Sequence, residues 1–189
     1  MLILASQSPR RRELLLQAGI PHEVRVPGIE ERAQPGESPA GYVRRLSIEK
    51  ARAVAAEPAE FVLAADTVVV VDDAILEKPA SEAEARAMLA RLGGRAHTVL
   101  TGVCLRHAGL ERAQVQSTLV VFAPLSEAEI AAYCASGEPM DKAGAYAIQG
   151  LASKFVERID GCYFNVVGLP VPLVYRLLGE AGYPFPTHG

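Results

Sequence analysis

Apolar runs along this chain are buried whole, or thin to one side in stripes, and the two patterns predict different elements. The opening "MLILA" is continuous and reads as a buried strand. The following "SPRRRELLLQAG" predicts a helix with Ser8 as N-cap, Pro9 at the first helical position and Gly19 as terminator. "HEVRVP" alternates like a short strand, and after the loop "GIEERAQPGES" a striped pattern predicts a helix over Pro39–Ala56. "FVLAAD" is a buried strand running into "TVVVVDD", with a turn near Asp72–Asp73. "SEAEARAMLARLGG" is a helix capped by Ser81, with Glu84 as capping-box partner. "RAHTVLTGVCLRH" and "ERAQVQSTLVVFAPL" read as long strands joined at Ala108–Gly109, and "SEAEIAAYCASG" as another capped helix. A glycine-punctuated loop "DKAGAYAIQG", a hairpin through Asp160–Gly161 in "KFVERIDGCYF" and a helix after Pro170 up to about Gly179 complete the pattern. Strands and helices mix without strict alternation, so the class is α/β or α+β with a mixed, long-stranded sheet.

Against this frame a few polar positions stand out. Arg10, Arg11 and Arg12 occupy the first turn of a helix, where the dipole favours anions over cations. Ser6 and Ser8 offer hydroxyls beside them, and the helix start offers backbone N–H donors, so the turn is a candidate phosphate cradle. Successive helical residues diverge by about 100°, which favours Arg10 and then Arg11 as ligands and leaves Arg12 outside. Lys50 lies in the apolar stripe of Val43, Leu46 and Val54, where a lysine must snorkel, pair with a carboxylate or meet a ligand. Glu49 is off that stripe and reads as a surface charge. Asp66 ends the apolar run "FVLAA", and strand ends are where such folds carry reactive groups. Glu30 and Glu31 could join it around a divalent ion, while Lys78 in "LEKPAS" reads as a surface lysine or, if it lies near Asp66, as a second phosphate ligand.

Composition narrows the choice. The 189 residues suit one domain; half are hydrophobic and the net charge is -3, so no global field draws the chain to nucleic acid. Aromatics at 6% leave little for base stacking, which weakens a nucleic-acid binder further. Cys104, Cys134 and Cys162 are odd in number and lack metal-ligand spacing. The first apolar run is too short for a signal peptide and no run spans a bilayer, so a soluble, cytoplasmic protein is expected. His97 sits in a strand apolar on both faces and reads as a core residue; His22, His107 and His188 read as loop residues. Neither a nucleophilic triad, a GK[ST] phosphate loop nor a dinucleotide fingerprint is present.

"LASQSPRR", "GIEE", "YVRRLSIEKARAVA", "AADTVVVVDDAILEKP", "GRAHTVLTGV", "DKAGAYAIQG" and "GCYFNVVGLP" together resemble the Maf family of nucleoside triphosphate pyrophosphatases, block by block and over nearly the whole chain. The resemblance implies a single domain over 1–189 with a two-lobed α/β fold, a mixed sheet with flanking helices similar to the inosine triphosphate pyrophosphatases, and a cleft between lobes. It implies hydrolysis of a nucleoside triphosphate to monophosphate and pyrophosphate with a divalent cation, Mg²⁺ or Mn²⁺. Asp66 matches the family's catalytic base, and Ser6, Ser8, Arg10, Arg11, Lys50 and Lys78 match its phosphate-binding positions. Glu31 joins Asp66 as an expected metal ligand.

Thr67 and Gln149, with Arg10, match positions used for base choice, as in the branch that resembles enzymes specific for dTTP and UTP. A Gln amide has one acceptor and two donors, complementary to the N3–H and carbonyls of uracil or thymine. Members of the family are often dimers, so a homodimer is among the expectations. A rival implied by the family's association with division arrest is a nucleotide-sensing regulator that binds in the same cleft with little turnover. Pyrophosphate release separates the two.

Overall fold

A computed structural model of the chain describes residues 1–186; His188 lies outside the described residues. The strands are β1 (Leu2–Ala5), β2 (Glu23–Val24), β3 (Phe61–Val71), β4 (Ala74–Leu76), β5 (Ala96–His107), β6 (Leu110–Phe122) and β7 (Val156–Asp160). The helices are α1 (Pro9–Gln17), α2 (Pro39–Ala53), α3 (Glu82–Leu92), α4 (Glu127–Ala135), α5 (Tyr163–Val167) and α6 (Val171–Glu180), with short 3₁₀ turns between α4 and β7. Among the described residues seven strands form one sheet in the order β2-β1-β3-β5-β6-β7, with β4 paired to β3. The mixed α/β expectation therefore holds. Among the described residues no helix is long and apolar enough to cross a membrane.

The chain forms two compact units. The first holds Met1–Asp66, Thr101–Gln116 and the segment from Gly168; the second holds Thr67–Leu100 and Ser117–Val167. In the first, β1 lies between β2 and β3 and runs parallel to both. The chain leaves β1 through α1 to one side and reaches the other side through α2, so the carboxyl end of β1 is a topological switch point. Ile3, Ala5, Ala51, Val54, Val62, Ala64 and Cys104 pack together there. The second unit packs α3 and α4 residues such as Leu89, Leu92 and Ile130 with Val99, Val120, Phe122, Tyr146 and Phe155.

Local chemistry explains most boundaries. Ser8 caps α1 as its sequence requires, and Gly19 takes the left-handed conformation (φ 66°) that ends it. Asp72 and Asp73 both take positive φ in the β3–β4 turn, as do Ala108 and Gly109 between β5 and β6. Five expectations need correction. The helix expected to reach Ala56 ends at Ala53, because Val54 turns extended and is buried in the core. Glu84 is not a capping-box partner of Ser81: its carboxylate accepts from Ala80 N–H at 2.7 Å. A two-way box forms instead at Ser126 and Glu129.

The third correction is Asp160–Gly161, which makes no hairpin. β7 pairs antiparallel with β6, and the chain then enters α5. Cys162 N–H donates to Thr118 Oγ1 at 3.1 Å, and its carbonyl accepts from Asn165 N–H, so a helical turn closes where a return strand would begin. His107, fourth, ends β5 and stacks its ring on Phe61 at 3.6 Å between centroids. Last, Asp66 does not end a strand. β3 continues through it to Val71.

Candidate active site

The first unit brings most of the expected groups to the carboxyl end of β1. β1 pairs with β3 only as far as Ala5 opposite Ala64, so Asp66 sits two residues past the end of that ladder. It is 5% exposed. On α2, Val43, Leu46 and Lys50 share one buried face. Burying Val43 and Leu46 stabilises roughly 1.5–3 kcal/mol each, which holds that face inward and carries Lys50 with it. Lys50 is 6% exposed, and of the alternatives open to an inward lysine it takes the carboxylate pairing. Its ammonium donates to Asp66 Oδ1 at 2.6 Å and pairs with Glu31 Oε1 at 2.9 Å. Glu30 instead pairs with Arg32 on the surface, and Glu49 with Arg45 one turn away.

Gly102 of β5 sets how close α2 comes. A Cβ there would overlap the backbone carbonyl of Val43, so helix and strand touch main chain to main chain. Lys50 lies seven residues beyond that contact on the same face of α2, about two turns along. This residue was not singled out from the sequence, although an isolated glycine inside an apolar strand is the ordinary sign of close backbone approach.

The start of α1 is tied to the same place. Ser6 is buried, and its Oγ accepts from Ser8 N–H at 3.1 Å and from Arg11 Nη1 at 3.3 Å. Ser8 Oγ accepts from Arg11 N–H at 3.5 Å. Arg11 also donates from Nη1 to the Ala65 carbonyl at 2.8 Å and from Nε to the Gly168 carbonyl at 2.7 Å. It thus fastens the first turn of α1 to the residue before Asp66. Arg10 is partly buried and Arg12 exposed, as the divergence of helical positions requires.

Charge and burial oppose each other here. Burial pushes the Asp66 carboxyl above its ordinary value, against the pull of Lys50 and Arg11, and Glu31 adds to the rise. Burial likewise lowers Arg11, while Asp66 and Glu31 support its charge. The arginine at the helix start is therefore answered by carboxylates of its own unit.

Two carboxylates, Asp66 and Glu31, converge on one ammonium, and among the described residues no three His, Cys, Asp or Glu side chains form a metal cage. That donor set fits a hard divalent ion that keeps waters and takes phosphate oxygens, which binds through one or two carboxylates. The second unit carries the remaining expected residues. Thr67 follows Asp66 on β3, Lys78 is exposed after β4, and Gln149 is exposed on the turn before Leu151. His97 is a core residue, as its strand context implies: its Nε2 meets Tyr146 Oη at 2.8 Å, and burial pushes it down to about 4.

A family model described as Maf-like protein matches residues 1–181. The chain is 53% identical over 189 residues to a dTTP/UTP pyrophosphatase of Symbiobacterium thermophilum, covering 100% of this chain and 97% of that one. It is 54% identical over 190 residues to a dTTP/UTP pyrophosphatase of Anaeromyxobacter sp. (strain Fw109-5), covering 98% and 91%. In three dimensions it is similar to the Ham1 protein of Staphylococcus aureus, with a TM-score of 0.54 over 95% of this chain and 98% of that one. At 14% identity that likeness speaks to fold alone.

Proposed function

Because the chain belongs to the Maf-like protein family, we propose that it is a nucleoside triphosphate pyrophosphatase that hydrolyses dTTP and UTP to the monophosphate and pyrophosphate. We propose further that residues 1–189 act as one functional domain, which the family match over 1–181 supports. The observation that carries the chemistry is the Glu31–Lys50–Asp66 row at the carboxyl end of β1 beside the first turn of α1, in which Lys50 and Asp66 are buried and Glu31 is exposed. The names of the relatives support the choice of base.

The residues divide the work by their surroundings. Asp66 acts as general base, accepting a proton at a carboxylate oxygen from the water that attacks the α-phosphorus. Burial raises its affinity for that proton, which suits it to the task. Lys50 neutralises phosphate charge as it exchanges a carboxylate partner for a phosphate oxygen. Arg10 and the N–H groups of the first α1 turn bind the triphosphate, an anion that the helix dipole favours. Arg11, whose Nε and Nη1 already bond Gly168, Ala65 and Ser6, holds the Ser6–Ser8 turn against β3 and adds positive potential. Lys78 is a further phosphate ligand, and Thr67 and Gln149 contribute to base choice. Asp66 and Glu31 would hold Mg²⁺ or Mn²⁺, which when bound neutralises phosphate oxygens and lowers the pKa of water. Catalysis is then mainly charge stabilisation and positioning. Three cysteines without a disulfide suit a reducing compartment, so the cytoplasm is the proposed location.

Pyrophosphate release with metal present, measured across the common nucleoside triphosphates, tests the proposal. Turnover of dTTP and UTP above the rest is expected. Tight nucleotide binding with no pyrophosphate released would overturn the enzyme reading and favour a nucleotide sensor.

A further inference from the structure

The proposed reader of the base, Gln149, is an exposed amide on a loop, yet its loop is built as a brace. The Ala147 carbonyl accepts from Gly150 N–H at 3.1 Å, closing a turn with Gln149 near its tip. Both shoulders of that turn are tied to one side-chain pair. Ala147 N–H donates to the Tyr133 phenol oxygen at 3.3 Å, and Leu151 N–H donates to Glu138 Oε2 at 3.0 Å. The pair is itself joined, since Tyr133 donates to Glu138 Oε1 at 2.8 Å. Lys142 donates to the Glu138 backbone carbonyl at 2.7 Å, fixing the carboxylate's own base. A Cβ on Gly150 would overlap the Glu138 carboxylate, so the turn lies directly on it.

Every donor and acceptor in this circuit has one assignment. Leu151 N–H donates to one Glu138 oxygen and the Tyr133 hydroxyl to the other, so Glu138 accepts at both carboxylate oxygens. Burial, and then the bond to Glu138, push the Tyr133 phenol up, keeping it protonated as the donor. Tyr133 is buried against the ring of Phe155, with which it makes an edge contact at 5.5 Å, so its end of the circuit is rigid. Ile148 packs on the same core. From these contacts we infer that Tyr133 and Glu138 are positioning residues for base discrimination: they fix the backbone on either side of Gln149 so that its amide meets a pyrimidine without first being ordered. This rests on the proposed reading of dTTP and UTP as substrates.

The test combines Tyr133→Phe and Glu138→Gln with two readouts. The first is hydrogen exchange at the Ala147 and Leu151 amides; the second is kcat and KM for UTP and CTP. Glu138→Gln keeps the shape but has one acceptor oxygen, so it cannot serve both donors. Tyr133→Phe keeps the packed ring and removes the oxygen that Ala147 N–H bonds. Exchange at both amides should quicken about tenfold or more, and the UTP-over-CTP ratio of kcat/KM should fall by about tenfold, the scale of one misplaced polar contact. The loss should fall on KM for UTP, with kcat at saturation within about threefold. In a Gln149→Ala background the same substitutions should leave the ratio where Gln149→Ala alone sets it. A uniform fall on both nucleotides with the ratio intact would reduce the pair to a structural role and overturn the inference, as would unchanged exchange. Should the wild-type chain release no pyrophosphate from UTP, the proposed function falls instead, and the exchange rates alone then decide whether the brace exists.

Discussion

The two units carry their charged chemistry in opposite ways. In the first, Lys50, Asp66 and Arg11 stand on or against regular elements, and burial strains the ionisation of Asp66 and Arg11. In the second, Lys78 and Gln149 are exposed on connections, and the buried histidine, His97, belongs to the core. Groups that must hold charge out of water gain from a helix and a strand that cannot move apart. Groups that must reach a ligand surface gain from exposure, provided the loop beneath them is tied down. Rigidity comes from main-chain packing in one case and from side-chain hydrogen bonds in the other.

The most severe break in that comparison is Asp66→Asn. It should cut pyrophosphate release by about 10²–10⁴-fold, the range for removal of a general base, while dTTP or UTP binding by calorimetry persists. Retained turnover would remove Asp66 from the chemistry.

Acid offers a second, sharper contrast, because the units should answer it with opposite signs. His97 is held down to about 4 in the folded chain against 6.5 in the unfolded one. Its contribution to stability is full above pH 6.5 and is lost as pH falls toward 4, amounting to roughly 3 kcal/mol at 1.36 kcal/mol per unit. Asp66, raised above 3.8, contributes most below that value and loses it as pH rises through its folded value. Urea midpoints from pH 7 to 4.5 should fall in the wild type and fall much less in His97→Gln.

Gly102→Ala tests whether main-chain contact sets the distance between Lys50 and Asp66. Forcing α2 off β5 should cost about 1–3 kcal/mol of stability and lower kcat/KM, by lengthening the reach from Lys50 to Asp66. Arg12→Ala marks the low end: an exposed residue outside the cluster should change stability by less than about 0.5 kcal/mol and leave the kinetics unaltered.

Much of this site is legible in the sequence, for identifiable reasons. Lys50 betrays itself by sitting four residues from Leu46 and Val54 in an apolar stripe, where helical geometry leaves it nowhere to go but inward. Ser8, Pro9 and Gly19 mark α1 because each satisfies a local backbone need. Asp66 stands out as an acid within an apolar run and is misread as a strand end, since a polar residue interrupting such a run looks like a boundary. The aspartate–glycine pair at Asp160–Gly161 misleads for the converse reason: its turn preference is local, whereas the bond from Cys162 N–H to Thr118, 44 residues away, decides the path. Tyr133 and Glu138 leave no periodic trace, because their partners are single amides on a separate stretch of chain.

The uninterrupted course of β3 through Asp66 and Thr67 has a consequence for how this protein can change. Neighbours on a strand project to opposite faces at a fixed spacing, so the acid and the adjoining threonine cannot drift independently of one another. Losing or gaining one residue between Phe61 and Asp66 would invert both at once. An exposed connection can absorb a residue more or less, but this stretch works as a ruler whose gradations admit no half measure.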